Sequence, residues 1–283
     1  PWKPGVLDAI GKQEHVLFVG AGLTMVDLLL SLKNRGHHGP VTVVSRRGLL
    51  PGRHAPPGSW QLVQPAPDMH RTELVDLLRW MRAEVRHAAA KGIAWPSVVD
   101  AARPFVRTWW QALSTEKRRT FMRHLRPYWE VHRHRMPAEA HERIMELCRS
   151  GQVRMVAARV RGVQLDGHSL GVDLAHRQGA TEILSVDHLV NCTGPDPDMR
   201  RTDQRLLATL LDQGLISRDE LGLGLQCTAE GAVVDRAGQV SDRLFLLGPM
   251  CRAAVWECTA VPEIREQVAH LVQRFAAVSL LLD

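Results

Sequence analysis

A short apolar run, His15-Val-Leu-Phe-Val19, ends in Gly20-Ala-Gly22 and is followed by Leu23 to Asn34, with Leu23, Val26, Leu29 and Leu30 at helical spacing. No other feature narrows the fold as much. An apolar run with β-branched members, closed by glycine, reads as a buried strand. Arg35-Gly36 supplies a glycine stop for the helix. Val41-Thr-Val-Val44 reads as a second buried strand, followed by Ser45-Arg46-Arg47-Gly48. Residues 15 to 47 are therefore expected to form one βαβ unit, whose right-handed crossover makes the two strands parallel.

Beyond this unit the chain changes character twice. Residues 49 to 69 carry Pro51, Pro56, Pro57, Pro65 and Pro67 and read as loop. From Arg71 to Arg149 the pattern is helical: Leu74, Leu77, Leu78 and Met81 recur at helical spacing, and similar stretches run from Ser97 to Leu113 and from Ser114 to Leu125. Pro104 and Pro127 are expected to break or kink this region, a helical insertion over 70–150. Val153 to Val156, Val160 to Leu165, Ser169 to Leu174 and Glu182 to Val186 are short, β-branched and separated by turns, a meander over 153–185. Two further apolar strands end at glycine turns: Asp187 to Cys192 before Thr193-Gly194-Pro195, and Arg243 to Leu247 before Gly248-Pro249. A closing helix begins around Pro262, a residue suited to a first helical turn.

At 283 residues and 45% hydrophobic content, the chain can bury a sizeable core in one or two domains, which excludes disorder or coiled coil as an overall description. No uncharged apolar run approaches the roughly 18 residues of a membrane span, and the last stretch reads as an amphipathic helix. Pro1-Trp2-Lys3-Pro4 shows neither Met nor a signal-type apolar core, so the sequence is expected to be part of a longer chain. Cys148, Cys192, Cys227, Cys251 and Cys258 are odd in number and contain no CxxC pair, which suggests reduced thiols, a cytoplasmic setting and no metal site. The formal net charge is +6, and its surplus sits in the insertion, where 16 Arg or Lys face 9 Asp or Glu between Arg71 and Arg149.

The chemistry begins at Gly20-Ala21-Gly22-Leu23-Thr24-Met25, a dinucleotide fingerprint with Met25 in place of the third glycine. The first glycine permits the tight turn. The second lets the backbone approach a pyrophosphate, which rests on the amides and positive dipole of the helix N-terminus. The strand before and the helix after raise the motif above a chance match; the bland alternative is a tight turn with no ligand. About 20 residues on, NAD sites place an acid for the ribose hydroxyls. Here stand Ser45, Arg46 and Arg47, a hydroxyl and two guanidiniums suited to a 2′-phosphate, so NADPH is expected over NADH. An Arg pair on a solvated turn is the alternative.

Other patterns carry less. His132 and His134 are two apart on a possible helix and diverge, unlike the i, i+4 spacing of helical metal ligands. Trp80, Trp95, Trp109, Trp110 and Trp129 lie among arginines, where stacking on nucleic-acid bases competes with a core role, and the core role is expected. No Ser/His/Asp set shows recognisable spacing, and no catalytic residue is named.

Several segments together resemble a known family. Pro1-Trp2, Gly20 to Asp27, Gly36-His-His-Gly-Pro40, Ser45 to Pro51, Arg123-His-Leu-Arg-Pro-Tyr-Trp129, Val131 to Met136, Asn191 to Pro195 and Trp256 to Pro262 are similar to bacterial FAD/NAD(P)-binding flavoproteins, distantly similar to flavin-dependent N-hydroxylating monooxygenases. The resemblance implies two Rossmann-like domains, with the NAD(P) domain inserted into the FAD domain. In the family the FAD fingerprint precedes anything present here, so the chain resembles the C-terminal part of such a protein or a truncated product. The resemblance places Gly194 at the crossover back from the NADPH domain. It places Gly248, Pro249, Thr259, Val261 and Pro262 on the FAD side, with the helix at Val261-Pro262 aiming its positive end at the flavin.

The expected fold class is thus α/β: a Rossmann-like NAD(P)-binding domain with a parallel sheet, a helical insertion, a β-meander and the C-terminal half of an FAD-type domain. The expected boundaries are 15–185 for the NADP-binding domain and 1–14 with 186–283 for the partial FAD-binding domain. The expected function is an NADPH-dependent flavoprotein oxidoreductase, monooxygenase-like, acting on a small-molecule substrate with NADPH and FAD as cofactors. A non-catalytic NADP(H)-binding module and a nucleic-acid binder using the basic insertion are the rivals; neither nucleic acid nor membrane is the expected partner. Substrate, electron acceptor and oligomeric state are not legible.

Overall fold

The computed structural model describes residues 5–56, 58–63 and 65–279. Pro1-Trp2 and Pro57, used above, lie outside the described residues. The chain order begins β1 (Val16–Val19), α1 (Leu23–Asn34), β2 (Val41–Ser45), α2 (Leu74–Ala90), α3 (Trp95–Ala112), α4 (Thr115–Thr120), α5 (Arg126–Arg133) and α6 (Ala138–Arg149). It continues with β3 (Val153–Asp166), β4 (Ser169–His176), β5 (Thr181–Val186), β6 (His188–Asn191), α7 (Arg205–Asp212), β7 (Ala232–Val234), β8 (Val240–Phe245) and α8 (Val261–Ser279). No helix among the described residues is long and apolar enough to cross a membrane.

Two compact units emerge. The first takes the described residues of 1–59, 92–100 and 124–194; the second takes those of 60–91, 101–123 and 195–283.

The first unit is an α/β domain built on a six-stranded sheet in the order β5-β4-β3-β2-β1-β6. β6, β1, β2 and β3 run parallel, whereas β3, β4 and β5 form an antiparallel meander. The strand β3 belongs to both parts: Val153 to Ala157 pair with β2, and Ala158 to Asp166 pair with β4. The two runs Val153–Val156 and Val160–Leu165, expected as separate strands, are therefore one strand of 14 residues. Within the β3–β4 ladder the register shifts between Val160 and Gly162.

β1 is apolar at every position, and β2 through Val44 departs only at the buried Thr42, because both faces are covered. Val16 and Phe18 pack with Met25, Val26, Leu29 and Leu32 of α1 and Ile144 of α6 on one side. Leu17 and Val44 pack with Val156, Val172, Leu174 and Val186 on the other, so the meander serves as the third layer. Only Asp187 separates β5 at one edge of the sheet from β6 at the other, so the sheet curls until its edges approach.

The second unit holds α2, α4, α7, α8 and the two-stranded sheet of β7 and β8. Its core combines Ile216, Leu225, Val233, Leu246, Cys251, Val255 and Cys258. Trp110, Phe121 and Trp256 form a ring cluster, with Trp110 and Trp256 4.8 Å apart between centroids. Of the five tryptophans expected in a core, Trp80, Trp109 and Trp110 are buried, whereas Trp95 and Trp129 are half-buried. Glu84 is fully buried and accepts hydrogen bonds from Trp60 Nε1 at 2.9 Å and Val63 N at 3.0 Å, pinning the segment before α2 to that helix.

The prolines of the insertion act differently than expected. α3 runs unbroken through Pro104. Pro127 opens α5 at its first turn, after a π-helical turn over Phe121–Leu125.

Candidate dinucleotide site

Three parallel strands of the first unit bring their carboxyl ends together. β1 runs into Gly20, β2 ends at Ser45 and β6 ends at Asn191. The ladder extends one residue further: Gly20 N donates to Val44 O at 2.8 Å and Cys192 N to Val19 O at 2.7 Å. β1 lies between β2 and β6, so the chain leaves it toward one neighbour and returns on the other side. Such a switch point is where open α/β sheets form a ligand crevice.

The two fingerprint glycines exist for different reasons. Gly20 has φ +103°, and a Cβ there would stand 2.6 Å from the carbonyl oxygen of Cys192. The fold itself demands that glycine. Gly22, the N-cap of α1, has φ −84° and ψ −173°, open to any residue, and a Cβ there would meet nothing within 4 Å. Among the described residues nothing comes within 4 Å of that position. No side chain caps α1, and no acid stands in its first turn. The amides that open a helix have no intrahelical partner, so Leu23 and Thr24 present theirs to this space. Met25 is fully buried among the residues between α1 and the sheet, filling the position of the missing third glycine.

At the end of β2, Ser45 Oγ accepts a hydrogen bond from Gly48 N at 3.0 Å and closes the turn that carries both arginines. The two guanidiniums then part ways. Arg46 is exposed and forms no ion pair or hydrogen bond among the described residues. Arg47 is half-buried, with its guanidinium carbon 5.3 Å from the ring centroid of Tyr128 on α5. On the far side of β1, Asn191 Oδ1 accepts from Thr193 N at 3.0 Å and Thr193 Oγ1 at 2.7 Å, which shapes the turn into Gly194. Gly194 has φ +83° and open space around its Cβ position. Burial pushes the Cys192 thiol up to about 11, so the one thiol in this turn is not a nucleophile near neutrality.

The structure therefore brings Gly20, Ala21, Gly22, Leu23, Thr24, Ser45, Arg46, Arg47 and Gly194 to one end of one sheet. Tyr128 escaped the sequence, since 80 intervening residues separate it from Arg47. Its signals were its place in the Arg123–Trp129 segment that carries the resemblance, Pro127 beside it and its being the single tyrosine of the chain.

The other expected residues share the head of α8 in the second unit. Gly248 has φ +72°, and its amide donates to Gln267 Oε1 at 2.8 Å. Pro249 follows in a 3-10 turn, Gly248–Cys251. Thr259, Val261 and Pro262 are exposed. Glu263, in the first turn of α8, pairs with Arg103 and already answers the positive end of the helix. Among the described residues there is no cluster of three His, Cys, Asp or Glu side chains suited to a metal ion. His132 Nδ1 bonds Tyr128 O at 2.7 Å, and His134 lies 3.4 Å from Glu130.

No protein-family model matches the chain, and no curated protein matches it. Solved structures do match. The ornithine N-hydroxylase of Kutzneria sp. 744, solved with reduced FAD, NADP+ and L-ornithine, aligns with a TM-score of 0.55 at 14% identity, covering 95% of this chain and 55% of that one. The L-lysine 6-monooxygenase of Pseudomonas syringae gives 0.53 at 14% identity over 98% and 56%. The cadaverine monooxygenase of Erwinia amylovora, bound to FAD, gives 0.51 at 13% identity over 92% and 50%. The likeness is one of fold. The chain spans about half the length of the structures it matches.

Proposed function

We propose that this chain binds NADPH at the switch point of its first unit and is the NADPH-binding portion of a flavoprotein oxidoreductase of the monooxygenase type. The observation that carries it is the contrast at the fingerprint. Gly20 is needed by the fold, whereas Gly22 opens a helix with no side-chain cap and leaves the space at its Cβ position empty, and Arg46, after the end of the neighbouring strand β2, is exposed and unpaired among the described residues. A pyrophosphate on the amides after Gly22 and a 2′-phosphate on Arg46 match the charge and the space available. Ala21, Leu23 and Thr24 complete the cradle, and Ser45 and Arg47 complete the ribose end. The matched enzymes from Kutzneria and Erwinia, solved with FAD or with NADP+ as well, support the cofactor pair.

The FAD side fits in part. Thr259, Val261 and Pro262 offer exposed surface at the head of α8, whereas the Gly248 amide and the helix dipole are already engaged within the chain. Bound flavin would accept hydride from the nicotinamide. The part of this chain is to hold and orient the nicotinamide cofactor, and the substrate is proposed to be a small molecule, as in the matched enzymes. The test is direct: a chain that turns yellow with FAD, and that NADPH bleaches, supports the oxidoreductase. A colourless chain that still binds NADPH is the non-catalytic module.

A further inference from the structure

The second unit holds a cavity of about 400 Å³ that none of the residues assigned above to a cofactor lines. Its floor is an edge of that unit's core: Ile216 is buried, and Met199 and Leu211 are half-buried against the same cluster. Three arginines, Arg200, Arg218 and Arg236, also line it. They come from separate stretches of the chain, so no sequence motif announces them. Each is placed by its backbone. Arg200 lies in a 3-10 turn, Met199–Arg201, and Asp198 accepts from its N at 3.0 Å and its Nε at 2.9 Å. Arg218 pairs through its backbone with Leu225 in a single antiparallel bridge. Arg236 N donates to the carbonyl of Gly214, which follows α7 with φ +74°, at 3.0 Å. Arg236 Nη2 donates to the carbonyls of Leu211 at 2.5 Å and Asp212 at 3.5 Å, at the negative end of α7.

The charges around this cavity are not balanced. Asp198 answers Arg200 and leaves it no net charge to offer. Arg218 and Arg236 form no ion pair among the described residues, and Asp212 is the one carboxylate that lines the cavity there. The Nε and Nη1 groups of Arg236 and the whole guanidinium of Arg218 have no hydrogen-bond partner among the described residues. Guanidiniums present planar forks of donors to oxyanions, and here they stand beside an apolar floor, which suits an anion that carries a body. A carboxylate offers two oxygens and one charge; a phosphate ester offers three oxygens and up to two charges, enough for both arginines. We propose that this cavity binds a phosphate monoester with a small apolar or aromatic body. Its phosphate lies on Arg218 and Arg236, and its body on Met199, Leu211 and Ile216. The site is independent of the NADPH assignment and stands if that assignment falls.

Calorimetric titration of the full chain with phenyl phosphate tests this. The parent should bind it saturably, and more tightly than inorganic phosphate, which lacks the body, or benzoate, which lacks the phosphate. Arg218→Gln and Arg236→Gln should each weaken phenyl phosphate about tenfold or more, the worth of hydrogen bonds from a charged group. Arg243→Gln removes the same charge from an exposed arginine outside the cavity and should bind as the parent does. The site is overturned by an absence of saturable binding, by parent-like affinity in both cavity variants, or by an equal loss in Arg243→Gln. A loss in Arg46→Glu would put the probe at the dinucleotide end and overturn it as well. Inorganic phosphate or benzoate binding as tightly as phenyl phosphate overturns the phosphate-ester assignment. Should Arg236→Gln fail to fold because the end of α7 loses its partner, Arg218→Gln decides alone, since the Arg218 guanidinium has no partner among the described residues to lose.

Discussion

Within three residues this chain uses glycine once for its fold and once for what its fold leaves open. Gly20→Ala forces a Cβ into φ +103° and to 2.6 Å from a backbone oxygen, so it should destabilise the first unit by about 2 kcal/mol or more. Gly22→Ala has neither problem and should shift stability by less than about 1 kcal/mol. Its methyl group would stand where the pyrophosphate is proposed to sit, and NADPH affinity should fall about tenfold or more. Thermal melting together with NADPH titration separates the two; a Gly22→Ala chain that binds as the parent does would mean that the space over Gly22 is not used. The neighbouring arginines teach a related lesson. In the sequence they are an equal pair, yet Arg46 has no partner among the described residues and Arg47 has its guanidinium carbon 5.3 Å from the centroid of a ring 81 residues away.

At the scale of elements, what was legible followed from periodicity and from glycine. β1, α1, β2 and the antiparallel meander were readable because their apolar residues repeat with one period and end at turns. What was not legible depended on partners distant in sequence. A single strand, β3, looked like two because it changes neighbours midway. α3 passes through Pro104 because that residue is exposed on a helix whose Val98, Ala102, Val106 and Trp110 are all buried. The missing backbone bond still has a cost, so Pro104→Ala should raise stability by about 1–3 kcal/mol, measured as a shift in the urea midpoint. A fall would show that the proline is favoured there. The opposite end of the parallel sheet carries a pH dependence. His15 Nε2 bonds Thr42 Oγ1 at 2.9 Å and His37 Nε2 bonds Glu14 O at 2.9 Å, and burial lowers the pKa of both rings. Each ring takes up a proton less readily when folded than when unfolded, so the unfolded chain binds more protons as pH falls through the ordinary histidine pKa of about 6.5. Stability should be fully present above that pH and decline as pH falls through it. His15→Gln should flatten the decline in urea titrations between pH 8 and pH 5, and an unchanged slope would remove His15 as a contributor.

For the whole molecule, the sequence pointed to an α/β fold and to the carboxyl ends of β1 and β2 as the candidate site. It treated 70–150 as one insertion, whereas the compact units divide that stretch between them: 92–100 and 124–149 fall in the first, 71–91 and 101–123 in the second. Helical periodicity reports that a segment is amphipathic, and it does not report which core its apolar face joins. The same limit hid the contact between Tyr128 and Arg47. If the chain is a flavoprotein portion, FAD added to the purified protein should remain through gel filtration and bleach with NADPH under anaerobic conditions; a chain that releases all its FAD would confine the function to nucleotide binding. Beneath either outcome lies the site at the end of β1 and β2, and titration calorimetry of NADPH into the chain and its Arg46→Glu variant tests it most directly. The parent should bind, and reversing the free charge should cost about ten- to a hundredfold in affinity, the worth of a charge-assisted hydrogen bond. Equal affinity in the two proteins, or no heat of binding in the parent, would contradict the assignment.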